Sequence, residues 1–448
     1  MNFIQSCRQL IAVDTSPTGD CLEAVKYLAE LGKSLGFKTE IQVESLEGVE
    51  QANILLRPND EISMGDELML QTHLDTVDPG TYSQWTRTES NPFNASIYEN
   101  KIYGLGSADV KLDFLCKMFA TSQFCAQELK RSFVLVGTYG AQSAMAGAIR
   151  LLRRKKVWAK YALVGEPTKL ELVGSGQGLA VVEVRIPFSE REMKYRRDHD
   201  SFESSSSQSK MFSGRAAHSS MPHLGESAIS KMFQFLEQLP AGISVMELDG
   251  GLNYNSVPAS AYLEFDLVGG LSDSVALKIG HIWQVVKILE AEFLEFKDES
   301  FEYPYSSLNI GTIRTSEEGI VITGSCRLLP SISQDIYEQW MNRLKESCRE
   351  VGGEFIIKDY KPSFSTEPDS DFVSVCRKVL DAQGISKELK KISASTEASV
   401  FHRMGIECLA FGPGMSIGNS HAPNENVDIE ELELAKTFYR QVIERFCL

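Results

Sequence analysis

Several kinds of sequence are missing from this chain of 448 residues, and each absence narrows what it can be. No run of about eighteen apolar residues occurs, which excludes a membrane-spanning helix. Residues 1–17 place Arg8 and Asp14 around a short apolar stretch, without the layout of a signal peptide. Positive charge is in deficit: 45 Lys and Arg face 61 Asp and Glu, for a net charge of −16. That balance argues against nucleic acid and against an anionic membrane as partners, although a pocket can oppose the total locally. Paired cysteine motifs are absent as well. The nine cysteines (Cys7, Cys21, Cys116, Cys125, Cys326, Cys348, Cys376, Cys408 and Cys447) are scattered, odd in number and never spaced C-x-x-C. Zinc-finger and thioredoxin readings therefore fail, and reduced, buried thiols in a cytoplasmic protein are expected. No G-x-S-x-G is present, so Ser219 and Ser220 beside His218 make no serine-hydrolase elbow. The glycine-rich run 174–178 lacks the helix and acidic partner of a dinucleotide loop and reads as a domain-joining turn.

What is there looks globular. With 43% hydrophobic and 24% charged residues the composition is close to average, and the length suggests two domains. Helical spacing over 21–35 ends at Gly36, and strand-like runs follow at 37–43, 52–56 and 67–70. Further helices are expected at 113–126 and 145–154, with strands at 132–136 and 161–164. Such alternation implies an α/β layer with a largely parallel sheet. The texture changes after Gly178. A strand at 179–186 precedes a charged, serine-rich stretch, 189–209, expected to be a mobile insertion loop. Helices at 226–239 and 274–294 and strands near 261–267 and 320–327 suggest a separate α+β module, and from 334 the first pattern resumes. The expected organisation is a discontinuous domain, 1–177 plus 331–448, with an inserted domain at 178–330.

Four short segments offer imidazole and carboxylate side chains just after predicted strands, where open α/β sheets place their sites. They contain His73 and Asp75, Asp109, Glu166, and His421 with Glu425. Mixed nitrogen and oxygen donors of this kind suit zinc.

The order of these segments resembles the M20 family of metallopeptidases and deacylases, which includes acetylornithine deacetylase, succinyl-diaminopimelate desuccinylase and glutamate carboxypeptidase. His73-Leu74-Asp75 resembles the family's H-x-D, and Gly104 through Asp109 and Lys111 its G-x-G-x-x-D-x-K. Gly165-Glu166-Pro167 and Gly412-Pro413-Gly414 before His421 match too. So do Gly214 through Ser220, Asn255-Ser256-Val257-Pro258 and Cys326-Arg327-Leu328-Leu329-Pro330, in the right order along nearly the whole chain.

The resemblance implies a zinc-exopeptidase-like catalytic domain with an inserted α+β lid through which a homodimer can form. It implies one metal on His73, Asp109 and Glu166, with Asp75 behind His73 to orient its ring. Zinc is the expected ion, with cobalt or manganese as alternatives. A second metal would share Asp109 and use His421 and a glutamate at position 142, but that position holds Gln142. The family's general base, the first of two adjacent glutamates, falls on Ala141, a register fixed by Gly147-Ala148. Between Asp113 and Glu166 the only acid is Glu128, beyond the 132–136 strand. A missing general base costs about 10²–10⁴ in rate. Glu397 and Tyr139 are the candidates to replace it. By the same resemblance His218 stabilises an oxyanion or a substrate carboxylate, and Arg327, Asn255 and Gly412 bind a small substrate with a free carboxylate. Two functions follow: a metal-dependent hydrolase of N-acyl amino acids or short peptides with impaired or altered catalysis, or a non-catalytic relative that binds such a ligand or partners an active homologue.

Overall fold

Three apolar runs, Glu67–His73, Phe133–Thr138 and Ala159–Val164, become neighbouring parallel strands, and Glu407–Ala410 extends the parallel set. Their central residues are buried on both faces, which is why they read as continuous rather than alternating apolar runs. The structure, a computed structural model, describes residues 2–46, 48–59, 65–142, 144–199, 207–240, 242–268 and 272–448. It falls into two units. The first comprises Met1–Gly176, Phe364–Lys391 and Thr396–Leu448, and the second Gln177–Ser363 and Ile392–Ser395.

The sheet of the first unit is mixed rather than largely parallel. Only its middle four strands run together, while the hairpin Lys38–Leu46/Val49–Arg57 on one side and Leu172–Gly176 with Phe364–Ser365 on the other pair antiparallel. A short hairpin connection forces the first of these, since parallel neighbours need a long crossover. Helices Phe3–Ile11, Cys21–Ser34, Lys111–Thr121, Asp371–Ala382 and Ile429–Phe446 bury their apolar faces in one core with Phe114, Phe133, Phe411 and Phe438. Asp20 caps the second of these helices by accepting from the Leu22 amide.

The second unit is an antiparallel seven-stranded sheet with helices Ala228–Leu236, Val275–Phe293 and Gln334–Glu350 sharing its core. An α/β first unit with an α+β second one is the expected fold class. The expected return at 331 is displaced, however. Helix Gln334–Glu350 buries Trp340, Met341 and Leu344 in the second core, with the Trp340 ring 4.4 Å from Phe293. Strand Glu354–Lys361 then pairs along Gly178–Pro187, so the chain leaves this unit only at Ser363. Hydrophobic periodicity reveals an element's type but not the sheet it joins.

The stretch 189–209 also differs from the expected loop. Residues Glu190–His199 form a helix and Gln208–Ser213 an edge strand, while 200–206 lie outside the described residues. Ser189 and Glu192 cap the helix reciprocally: the Glu192 amide donates to Ser189 Oγ at 3.2 Å, and the Ser189 amide to Glu192 Oε2 at 3.0 Å. Among the described residues no helix is long and apolar enough to cross a membrane.

Candidate metal centre

The donors converge at one edge of the sheet of the first unit. His73 ends one, Gln142 and Glu166 follow two others, and the loop after Glu407–Ala410 delivers His421. Asp109 arrives from the loop that opens helix Lys111–Thr121. One donor atom from each of His73, Asp109 and Glu166 lies within 4.8 Å of the others. His73 Nε2 stands 3.2 Å from Asp109 Oδ1, and the other Asp109 oxygen, Oδ2, is 2.6 Å from His421 Nε2. Asp109 thus faces both histidines.

The charges of the three residues act strongly on one another. Burial alone would lower the His73 imidazole, but the Asp109 hydrogen bond and the charges of Asp109, Asp75 and Glu166 outweigh it and hold the ring well above its usual range. Asp109 is held low against its burial by hydrogen bonds from His421 and His73. Desolvation pushes the Glu166 carboxyl up to about 8, and the charges of Asp109 and Glu397 add to this. A divalent ion would relieve that crowding, and imidazole with two carboxylates is a donor set zinc accepts.

The outer part of the centre is different. Gln142 Nε2 donates to Asp109 Oδ2 at 3.3 Å and lies 3.3 Å from His421 Nε2. A neutral amide therefore stands among the side chains that would have to provide a second set of ligands. Ala141 contributes only a methyl group.

Asp75 acts otherwise than expected. The His73 Nδ1 partner at 3.0 Å is the backbone carbonyl of Asp75, with the carboxylate at 3.6 Å. That carboxylate accepts the amides of Ala141 and Gln142 at 3.1 and 3.0 Å, so it sets the loop that should have carried the base. Glu425 does the corresponding work for the bridging acid, accepting the amides of Ala108 and Asp109 at 2.8 and 2.9 Å. Its neighbour Asn424 accepts from the Arg87 amide and fastens the His421 loop.

Neither candidate replacement base reaches solvent. The Tyr139 ring is buried, and its hydroxyl donates to Glu44 at 2.7 Å. Glu397 is 1% exposed, and its Oε2 accepts from Gln71 Nε2 at 2.5 Å and Thr138 Oγ1 at 2.7 Å. Burial pushes its carboxyl up to about 7. Gly412 donates to Thr168 and accepts from Leu170, and a Cβ there would fall 2.6 Å from the Glu166 carbonyl oxygen. It packs the Glu166 turn, and its backbone groups are engaged within the protein.

The remaining predicted residues gather in the second unit. Arg327 Nη2 donates to Asn255 Oδ1 at 3.1 Å, and the Asn255 carbonyl accepts the Ser219 amide beside His218. His218 Nδ1 is 2.8 Å from Ser220 Oγ. Burial, followed by the Arg327 charge, lowers the His218 imidazole. Arg327 is 5% exposed, its guanidinium brought down to about 10 by burial, and its Nε has no hydrogen-bond partner. A buried cation bonded to a neutral amide is suited to a carboxylate ligand.

Sequence reasoning overlooked Asp113, Lys117 and the capping work of Glu425. The i,i+4 spacing of the acid and the lysine in an otherwise apolar helix was the available signal.

Comparison with known proteins agrees with the geometry. The profile of peptidase family M20/M25/M40 matches residues 69–445. Acetylornithine deacetylase of Klebsiella pneumoniae (strain 342) is 24% identical over 469 residues, covering 99% of this chain and 98% of that protein. The aminoacylhistidine dipeptidase of Vibrio alginolyticus superposes with a TM-score of 0.67 at 14% identity, covering 99% of this chain and 96% of the other. A dinuclear metal binding peptidase of family M20 from Bacillus subtilis gives a TM-score of 0.51 at 11% identity, covering 98% and 96%.

Proposed function

Because the chain belongs to peptidase family M20/M25/M40, we propose that it is a metal-dependent hydrolase of the deacylase and peptidase type whose catalysis is impaired or altered because Ala141 and Gln142 replace the base and a ligand. His73, Asp109 and Glu166 would hold one ion, with zinc favoured by the donor set and cobalt or manganese as substitutes. When bound, such an ion supplies Lewis-acid polarisation of a scissile carbonyl. The chain's own residues supply the rest. Asp75 and Glu425 hold the loops at 141–142 and 108–109, and Gln142 offers an amide where a second carboxylate ligand would be needed. Substrate would be an N-acyl amino acid or short peptide with a free carboxylate, a group that the buried Arg327 and Asn255 suit, with His218 beside them. The second unit would serve as a lid and as the surface of a homodimer, and the reduced thiols fit a cytoplasmic setting.

One observation carries the altered-catalysis reading. Positions 141 and 142 carry a methyl group and an amide, and the amide meets Asp109 and His421, so neither position has a carboxylate to accept a proton from water. The same observation favours the second reading, a non-catalytic member that binds a carboxylate ligand or partners an active homologue.

The deciding experiment is a panel of acetyl- and succinyl-amino acids and dipeptides assayed with added zinc, cobalt or manganese. Turnover above about 1 s⁻¹, within the ordinary enzyme range, would defeat the impaired reading. Slow but metal-dependent turnover supports it, and tight binding without turnover supports the non-catalytic alternative.

A further inference from the structure

Behind the His73–Asp109–Glu166 set lies a buried ion pair that none of this chemistry uses. Asp113 and Lys117 stand one turn apart on helix Lys111–Thr121, with both side chains 0% exposed and Lys117 Nζ 2.6 Å from Asp113 Oδ2. The remaining hydrogen bonds of the pair leave the helix. Lys117 Nζ donates to the Gln71 carbonyl at 2.6 Å and to Thr72 Oγ1 at 2.8 Å. Thr72 Oγ1 donates in turn to Asp113 Oδ2 at 2.8 Å, and Tyr439 from the last helix donates to Asp113 Oδ1 at 2.6 Å. Two glycines lie against the same acid: a Cβ at Gly165 would fall 2.3 Å from Asp113 Oδ2, and one at Gly412 would fall 3.4 Å from Oδ1.

Each segment that supplies a donor therefore meets this pair. Thr72 precedes His73, Gly165 precedes Glu166, Asp109 opens the helix on which the pair is mounted, and Gly412 begins the stretch leading to His421. Stability is a poor explanation for such a pair. Well-packed apolar side chains can replace a buried ion pair without loss, because desolvation offsets most of the Coulomb attraction. What the pair does provide is direction: a full set of charge-assisted bonds fixes several backbone segments in one arrangement.

We propose that Asp113 and Lys117 form a positioning pair that sets His73 and Glu166 relative to Asp109 for binding a divalent cation, without touching the ion. This rests on the reading of His73, Asp109 and Glu166 as a metal site. The test compares chelated wild-type protein with the double variant Asp113→Asn/Lys117→Met, which removes both charges while keeping side-chain shape. Zinc is titrated calorimetrically, the visible absorption of the cobalt-loaded protein is recorded, and thermal melts are run on the metal-free forms.

The double variant should melt cooperatively near the wild-type temperature. It should bind zinc about 10–100-fold more weakly, the loss usual when groups that orient ligands are removed, and its cobalt bands should shift. Thr72→Val, which keeps the ion pair but removes both hydrogen bonds that the Thr72 hydroxyl makes with it, should weaken zinc binding less and remains decisive if the double variant does not fold. Unchanged zinc affinity and cobalt spectrum in a folded variant overturn the proposal. Wild-type protein that takes up no zinc overturns the metal-site reading itself, and the proposal with it.

Discussion

The inner and outer parts of the metal centre share Asp109 yet are built on opposite terms. Inside, the His73 side chain is 4% exposed, and its ring is fixed by the Asp75 carbonyl. Outside, the His421 side chain is 49% exposed on a loop, and it meets Asp109 alongside the neutral Gln142 amide. Burial, with the Asp109 charge adding to it, pushes the Glu166 carboxyl of the inner set up to about 8. The outer set already satisfies itself through hydrogen bonds, with His421 raised chiefly by its bond to Asp109.

The strongest way to break this comparison is to remove one histidine at a time. His73→Ala should take zinc from about one per chain to none in elemental analysis, since neutral imidazole is a principal ligand there. His421→Ala should leave the zinc content near one. Equal losses from the two variants would mean that the centre is not divided as described.

Next in size is restoration of the outer part. Ala141→Glu with Gln142→Glu should raise zinc toward two per chain, because two added carboxylates near one ion are tolerable only with further positive charge. Hydrolysis of some N-acyl amino acid should then rise by about 10²–10⁴, the contribution of a positioned base. Ala141→Glu alone should do less. A well-folded double variant without extra metal would show that 141–142 is not the acidic pair's position.

The smallest effect concerns pH. Glu397 is pushed from 4.5 up to about 7 by burial, so the folded state keeps a proton that the unfolded chain releases. Its contribution to stability is therefore lost as pH rises between those two values. In metal-free protein followed by urea unfolding, the wild type should lose on the order of 2–3 kcal/mol from this group across that window. Glu397→Gln should show a correspondingly flatter profile. Parallel profiles would exclude a buried environment for Glu397 beside the inner set.

Much of this architecture was readable in one dimension. The apolar runs at 67–70, 132–136 and 161–164 marked buried strands, and His73 and Glu166 stand at the ends of two of them. The helix at 190–199 could also have been read, since Ser189 followed by Glu192 is a capping box; the serine-rich residues after it concealed the signal. Membership of helix Gln334–Glu350 and strand Glu354–Lys361 in the second unit could not, because their local patterns fit either sheet.

The sequence by itself determined which residues are present and which are not: imidazole and carboxylate side chains at 73, 109, 166 and 421, no carboxylate at 141 or 142, and a family match spanning 69–445. Tertiary structure alone decided how they are used. It turned the Asp75 carboxylate onto the 141–142 amides, buried Glu397 against Gln71 and Thr138, and set Asp113 and Lys117 behind the ligands. The physical reason is range. Residue type and spacing govern contacts along an element, whereas these bonds join positions up to 326 residues apart, and only packing of the whole sheet brings them within reach.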